Sequence, residues 1–409
     1  MSHQDWTITN ATLVLPDKIQ KTSSCVLSKG KIQDIVSAGE EDSDLLRLNI
    51  HGLQVFPGLI NGHDSLLASY LTVPAANRPY VNWLSWDNEV KSSLFFKDRM
   101  LLETEQLYLL GSFKNLVSGA TTVIDHIPEQ VRRPFVDKMP VHLLADYGIA
   151  HSLCTYSLNW GESIQKEHKK AVSKNLPFIL HIAEGFDTES RQSLGKLDEL
   201  GLLDEHTVLV HGLSLDSVDL DRIAAAGAHI VWCPKSNLHI YNKTAPIKEM
   251  LKRGINVSLG TDAAMYGSSS LLAELKSAAE ILGPSGETPS LLTNMVTRNP
   301  SRAFRLKERG VLERNAAADL FVLRGKYPAD PGRSLLEADW KDVFLVVREG
   351  VPVYGDESLE SLFTEMGVVF DRIAVKENRK IIQSGFKKLM ESITASAGRS
   401  INFEFLPVT

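Results

Sequence analysis

PGLINGHDSL, residues 57 to 66, closes an apolar run with a histidine, an aspartate and a serine. Alternate side chains of a strand share a face, so we expect His63 and Ser65 to face one side and Asp64 the other. In a metal site carried by one strand, the second ligand stands two residues after the first. This chain has Ser65 there, which raises the question of whether a metal site is kept with one ligand missing, has moved, or has been lost.

This stretch ends the first of eight short apolar runs that alternate with helical patterns between residues 56 and 308. The runs are VFPGLING, ATTVIDH, VHLLADY, GIAHSLCTY, PFILHIAEG, TVLVHGL, HIVWCP and NVSLGTD. Buried strands separated by helices predict an α/β fold with a parallel (β/α)₈ TIM-like barrel over residues 56–308. VHLLADY and GIAHSLCTY are too close for a crossover helix, so either the barrel is distorted there or the strand count is wrong by one.

Short alternating strands occur on both sides of this region. Residues 1–55 alternate as half-buried strands with a turn at Lys29-Gly30, and residues 309–357 repeat the pattern with a turn at Glu349-Gly350. We predict one small β-sandwich built from both chain ends. Residues 358–409 are predicted to form a C-terminal helical segment and tail.

The composition limits the partners and the location of the protein. Of 409 residues, 43% are apolar, and the net charge of −6 comes without a basic stripe, so we expect a small-molecule substrate and no nucleic acid. No run approaches the roughly 18 apolar residues of a membrane span, and the amino terminus lacks the apolar core of a signal peptide. Three widely spaced cysteines favour a reducing compartment. We therefore expect a cytoplasmic protein that does not bind membranes.

Polar residues end most of the eight runs, where the catalytic groups of a barrel lie. They are His63, His126, His151, His181 with Glu184, His211, Cys233 and Asp262. A single histidine at a strand end is more often a hydrogen-bonded core residue than a ligand. Four strand ends carrying His, His with Glu, His and Asp are difficult to explain by core packing, and they predict one shared site.

The same residues lie in motifs that resemble the amidohydrolase superfamily, in particular the aminohydrolase branch with guanine deaminase, cytosine deaminase and the triazine hydrolases. The motifs are PGLINGH, HIAE (181–184), LVHG around His211, CPKSN (233–237), GTDA (260–263) and NPSRAFRL (299–306). The resemblance implies a hydrolase that attacks a non-peptide carbon–nitrogen bond of a small cyclic amine or amide with metal-activated water, most simply a deaminase. It leaves a homo-oligomer open, since such proteins are commonly dimers or larger.

The resemblance also implies roles for individual residues. His63, His181 and Asp262 match ligands of one divalent metal, zinc or iron. Glu184 matches the acid/base that passes a proton to the leaving group, and His211 matches the histidine beside the attacking water. From the charges of the site, we expect Asp262 or His211 to accept the proton of that water.

The main departure from the family is Ser65, where a histidine is normal. A catalytic zinc needs only three protein ligands, and two histidines with a carboxylate are an established set. Mutating a residue that only orients a metal ligand typically weakens metal binding by about 10–100-fold. Losing a ligand itself should cost at least as much, so we expect a weakly bound metal. His126, at the end of the next run, is an alternative ligand.

Four residues are predicted to contact substrate: His126, Trp86, Ser65 and Asn237. Trp86 lies in the long connection after the first strand, where a lid would cover the barrel, and its ring could stack on a flat heterocycle or pack on the rim. The rival hypothesis is a metal-free amidohydrolase-like protein with a different reaction or a binding role. The fold alone does not decide between the two hypotheses.

Overall fold

The amino-terminal strands belong to a large mixed sheet. The structure, a computed structural model, describes residues 5–76, 78–406 and 408. The first strands are β1 (Trp6–Val14), β2 (Ile19–Ser28), β3 (Lys31–Ser37), β4 (Leu46–Asn49) and β5 (Gln54–Pro57). β1, β2 and β3 pair antiparallel, and the predicted turn between β2 and β3 has positive φ at both Lys29 and Gly30. β4 and β5 pair parallel to β1.

The next eight strands are short and buried, and they form two parallel sheets. They are β6 (Leu59–Asn61), β7 (Ala120–Val123), β8 (His142–Leu143), β9 (Gly148–Ile149), β10 (Phe178–Ile182), β11 (Thr207–His211), β12 (His229–Trp232) and β13 (Asn256–Leu259). β6, β7 and β8 form one sheet, and β9 to β13 form the other. The sheets meet where the Gly62 amide donates to the Leu259 carbonyl and the Asp262 amide donates to the His63 carbonyl, each over 2.9 Å.

Helices alternate with these strands and cover them. They are α1 (Trp83–Ser92), α2 (Leu94–Arg99), α3 (Thr104–Val117), α4 (Glu129–Arg132), α5 (Ile164–Lys174), α6 (Thr188–Glu199), α7 (Ser217–Ala226), α8 (Pro234–Tyr241), α9 (Ile247–Lys252), α10 (Leu271–Leu282), α11 (Thr288–Met295) and α12 (Arg298–Ala303). This is a TIM-barrel-like α/β fold. Only residues 144–147 separate β8 from β9, so the irregular step expected from the sequence lies between the two sheets.

The carboxyl-terminal strands complete the mixed sheet. The remaining elements are β14 (Leu320–Leu323), α13 (Pro331–Glu337), β15 (Val343–Arg348), β16 (Val351–Asp356), α14 (Glu360–Glu365), β17 (Phe370–Val375), β18 (Asn378–Gln383) and α15 (Phe386–Ala397). β14 pairs antiparallel with β5, so strands from both chain ends share one ten-stranded sheet. Its division into the two layers of a sandwich stays a prediction.

The prediction of a helical segment over residues 358–409 is wrong between residues 370 and 383. There β17 and β18 form an antiparallel hairpin that joins the edge of β16. Ile373 and Val375 alternate as buried residues along β17, and Lys376 takes a positive φ of 53° at the turn. This alternation of buried and more exposed residues is short and lies between two helices, α14 and α15, so the sequence pattern of the whole segment looks helical. None of the helices in the described part of the chain is both long enough and apolar enough to cross a membrane.

Candidate active site

The ends of four parallel strands bring the predicted site residues together. His63 follows β6, His181 lies in β10, His211 is the last residue of β11, and Asp262 follows β13. All four side chains are buried. His63 Nε2 lies 3.4 Å from Asp262 Oδ1. The carboxyl ends of the strands thus converge on one small volume, as the sequence predicts.

Three overlapping groups of side chains have the spacing of metal ligands. In each group, one ligand atom from every residue lies within 4.8 Å of the others. The groups are His63 with His126 and His181, His63 with His211 and Asp262, and His181 with Glu184 and His211. Shared histidines link the groups, so they describe one cluster. This cluster offers imidazole nitrogens and carboxylate oxygens, which are the donors that zinc accepts.

The backbone is strained where it carries these groups. His211 has φ 75° and Asp262 has φ 64°, and Ala183, just before Glu184, has φ 49°. Left-handed conformations cost non-glycine residues of order 1–3 kcal/mol each and persist only where the surroundings impose them. Three such residues next to one cavity indicate that the orientation of these side chains is maintained at a cost in stability.

Outer partners orient two of the histidines. His181 Nδ1 lies 3.0 Å from the carbonyl oxygen of His151, and His211 Nδ1 lies 3.0 Å from Asn237 Oδ1. As donors in these bonds, both rings keep an unprotonated Nε2. Burial lowers the pKa of His181 well below 6.5 and also lowers that of His211, so both rings are neutral near pH 7. Neutral imidazoles with a fixed tautomer are the form that binds a metal.

The two carboxyl groups of the site have opposite pKa shifts. Burial, helped by the charge of Asp262, raises the pKa of Glu184 to about 8. Burial opposes ionisation of Asp262, but its hydrogen bond with His63 and the nearby His211 imidazole outweigh that effect and lower its pKa. Glu184 Oε1 accepts a hydrogen bond from Tyr241 Oη at 3.0 Å and lies 3.6 Å from His211 Nε2. One carboxyl group is therefore suited to carrying a proton and the other to staying charged.

These groups form the floor of a cavity of about 180 Å³. Its walls are aromatic, and the Trp86 and Tyr266 rings meet at 4.3 Å between centroids. The lining residues are His63, Ser65, Trp83, Trp86, Asp87, His126, His151, Leu158, Trp160, His181, Glu184, His211, Ile240, Asp262 and Tyr266. Within the described residues, no lysine or arginine lines the cavity.

Three of the four residues predicted to contact substrate line this cavity: His126, Trp86 and Ser65. Asn237 does not. Its side chain is fully buried in α8 behind His211, and its oxygen contacts the far nitrogen of that ring. The prediction of substrate contact fails for Asn237 because the residue lies in the first turns of a helix and not on a loop at the mouth.

Sequence reasoning missed Tyr241, which contacts the carboxylate of Glu184. Asn237 and Tyr241 are four residues apart on α8, so they lie on the same face of the helix. One helix thus supports both His211 and Glu184. The four-residue spacing could have indicated from the sequence that Asn237 and Tyr241 share a helix face, but it does not show which residues that face contacts. Asp87, His151 and Trp160 also line the cavity without having been assigned a role.

The contact between Asn237 and His211 leads to a prediction. Asn237→Ala removes the acceptor that orients the ring, and the loss of such partners typically costs about 10–100-fold. We expect kcat/KM to fall by that factor with little change in fold, measured by steady-state kinetics and circular dichroism. Leu238→Ala, a change at the exposed neighbour on the same helix, is the matched control. Equal activity of the two variants would mean that His211 does not need this contact.

Comparisons with known proteins show which family this chain resembles. A model of the amidohydrolase family matches residues 172–353. The 5'-deoxyadenosine deaminase of Methanopyrus kandleri is 30% identical over 380 residues, which cover 80% of this chain and 86% of the relative. The 5-methylthioadenosine/S-adenosylhomocysteine deaminase of Pyrococcus furiosus is 28% identical over 378 residues, which cover 78% and 87% of the two chains.

A solved structure shows the same fold. Atrazine chlorohydrolase from Arthrobacter aurescens, in complex with zinc, superimposes with a TM-score of 0.68 at 18% identity, covering 88% of this chain and 99% of the other. The resemblance to amidohydrolases of the deaminase and triazine hydrolase type, found in the sequence motifs, is thereby confirmed. Because the relationship to a relative with 30% identity extends over most of both chains, this chain belongs to the amidohydrolase family.

Proposed function

We propose that this protein is a metal-dependent hydrolase that removes the amino group from a small aminated heterocycle. The observation that carries the proposal is the cluster of ligand atoms on the floor of an aromatic cavity, with Glu184 beside it. The deaminase names of the relatives support the reaction class. Three unpaired, widely spaced cysteines support a cytoplasmic location.

His63, His181 and Asp262 would hold the metal. His63 Nδ1 and His126 Nδ1 are buried without a hydrogen-bond partner in the structure, and a bound cation is one explanation for such a group. Two imidazoles and a carboxylate fit zinc, which is the ion bound in the atrazine chlorohydrolase structure. When bound, the metal lowers the pKa of water towards about 7.

The chain's own residues then move the protons. Glu184 accepts a proton from the attacking water and donates it to the departing nitrogen, so that ammonia leaves as the carbon gains a bond to oxygen. Tyr241 holds one Glu184 oxygen in place by its hydrogen bond. His211 Nε2, 3.6 Å from that oxygen, is placed to hold the water during attack. Asp262, whose pKa is lowered, stays ionised throughout. Glu184 therefore replaces Asp262 and His211 as the acceptor of the water's proton in this proposal, because the lowered pKa values of those two residues make them the weaker bases.

The cavity favours a particular class of substrate. Trp83, Trp86 and Trp160 line the cavity, and tryptophan side chains favour aromatic ligands because their rings pack against other rings. Its volume of about 180 Å³ is below the roughly 300 Å³ at the lower end of ligand pockets, so a compact ring fits best. The relatives are named for nucleosides, which makes aminopurines and their unphosphorylated nucleosides the first compounds to test.

We also propose a finer description of the fold. β6 to β13 form one (β/α)₈ barrel within residues 56–308, and residues 1–55 with 309–357 form a β-sandwich beside it. The backbone hydrogen bonds between the segments after β6 and β13 support closure of the barrel on that side. The step between β8 and β9 is where the barrel is distorted.

The proposed function predicts that activity depends on metal. Protein purified without chelator should contain one divalent ion and release ammonia from at least one of adenine, guanine, cytosine, adenosine, 5'-deoxyadenosine and 5'-methylthioadenosine. AMP should be inactive, because no lysine or arginine among the described residues lines the cavity to bind phosphate. Removing the metal should abolish turnover, and adding back Zn²⁺ or Fe²⁺ should restore it. Undiminished turnover after exhaustive chelation, with metal analysis showing no residual ion, would instead support the metal-free rival.

A further inference from the structure

We infer that His126 is a metal ligand in this chain and takes the place left by Ser65. The inference rests on the proposed function, because it presumes the metal. His126 follows β7, the neighbour of β6 in the three-stranded sheet. The replacement ligand would thus come from the end of β7, whereas the family's ligand lies two residues after His63, at the end of β6.

The positions of three histidines support this assignment. One ring nitrogen each from His63, His126 and His181 lie within 4.8 Å of one another. The ring centroid of His126 is 4.8 Å from that of His181 and 5.8 Å from that of His63. All three side chains are at least 92% buried. Three imidazoles that converge in this way have the spacing of ligands to one ion.

The hydrogen bonds of His126 indicate which nitrogen is available. Nε2 lies 3.2 Å from the carbonyl oxygen of Ile179, and as the donor in that bond it leaves Nδ1 unprotonated. Nδ1 is buried and has no hydrogen-bond partner in the structure. A buried polar atom without a partner destabilises the folded protein, and a bound metal ion would satisfy it. Metal-binding histidines typically donate their other nitrogen to a backbone carbonyl or carboxylate, which is the pattern found at His126.

Ser65 shows why a replacement is needed. It lines the same cavity, and its amide donates to the Asp262 carbonyl oxygen over 2.5 Å, so it lies beside a proposed ligand. A neutral hydroxyl is a poor ligand for zinc, which prefers imidazole, thiolate or carboxylate. With His126, the site again offers three imidazoles and Asp262. The weak binding expected from the sequence then no longer follows.

Packing holds the His126 ring in this orientation. Its ring meets Trp160 edge to face at 5.2 Å and lies 6.4 Å from Tyr147 between centroids. A histidine that served only the core would be expected to satisfy both nitrogens, as buried polar groups generally do. A histidine that only contacted substrate would not be needed for metal binding, which makes metal affinity the measurement that separates the roles.

The test measures metal affinity directly. We would determine Zn²⁺ affinity by chelator competition, and record the visible spectrum of the Co²⁺-loaded protein, which reports the number and kind of ligands. His126→Asn should bind at least 10-fold more weakly and show a changed Co²⁺ spectrum. His151→Asn is the matched control, because His151 lines the same cavity but belongs to none of the three ligand groups. Its Zn²⁺ affinity should match that of the wild type.

A double-mutant cycle with position 65 sharpens the test. Ser65→His should add little affinity to the wild type but should restore binding in His126→Asn, since the new imidazole would refill the same place. If wild-type protein binds no metal at all, the proposed function fails. If wild type binds metal and His126→Asn binds it equally well, the inference about His126 is overturned while the proposed function stands. Thermal unfolding of the metal-free proteins would show whether the variants fold alike.

Discussion

Glu184→Gln is expected to lower kcat/KM for deamination by about 10²–10⁴-fold, the usual contribution of a positioned acid/base group. Glutamine keeps the size of the side chain and can still contact Tyr241, but it cannot carry the proton. Burial raises the pKa of Glu184 to about 8, so the carboxyl group can both accept and release a proton in the neutral range. Steady-state ammonia release on the best substrate of the panel measures the effect, and bound metal should be unchanged.

Glu274→Gln is the matched control for this experiment. Glu274 is also a buried carboxyl group, and burial raises its pKa to about 7. Unlike Glu184, it accepts a hydrogen bond from the backbone amide of Lys235 in α8 and does not line the cavity. We expect this variant to stay within a few-fold of wild type. A proton carrier also contributes an ionisation to the pH profile of kcat/KM, and that ionisation should be missing in Glu184→Gln. Near-wild-type turnover by Glu184→Gln would exclude the proposed role.

The second large effect is expected on stability, at Lys114. Asp64 turns away from the cavity, as the alternation of PGLINGHDSL predicts, and Lys114 Nζ lies 2.8 Å from its carboxylate with both side chains fully buried. Asn115 Nδ2 donates to the same carboxylate over 2.6 Å. Lys114→Met leaves a buried charge without its counter-ion, which typically costs about 3–5 kcal/mol. Urea unfolding of the metal-free protein, followed by circular dichroism, measures the loss.

Two comparisons make this result specific. The double variant Lys114→Met, Asp64→Asn removes both charges, so it should recover part of the lost stability. Lys31→Met removes one partner of the exposed pair with Glu308 and should cost at most about 1 kcal/mol. A loss of less than 1 kcal/mol in Lys114→Met would mean that the Asp64 carboxylate is either protonated or solvated in the folded protein. The ion pair with Lys114 would then not explain why the motif has an aspartate at position 64.

Much of the site could be predicted because strand ends follow simple rules. Alternation that continues past the end of β6 places His63 and Ser65 towards the cavity and Asp64 away from it. The position of His181 and Asp262 at or after strand ends brings them to the same mouth of the barrel. The partners of these residues follow no such rule. His181 and His126 both bond to backbone carbonyls, which any residue supplies, so no sequence pattern marks them.

The fold shows the same division. Eight apolar runs correspond to the eight short parallel strands, and the one step without a crossover helix lies where two runs are too close in the sequence. The hairpin of β17 and β18 was missed because its alternation is short and lies between two helices. The hairpin is held in the sheet because β18 pairs with β16. A local sequence pattern does not reveal such pairing between separate segments.

The pairing of β5 with β14 has a consequence for synthesis on the ribosome. The paired residues Pro57 and Leu320 are about 260 positions apart, so at about 5–20 residues per second β5 waits roughly 13 to 50 s for its neighbour. During that time its backbone donors and acceptors form an open sheet edge, the kind of surface that recruits other chains. We therefore expect the nascent protein to need chaperone protection until β14 emerges, and ribosomes stalled before residue 320 to release aggregation-prone fragments.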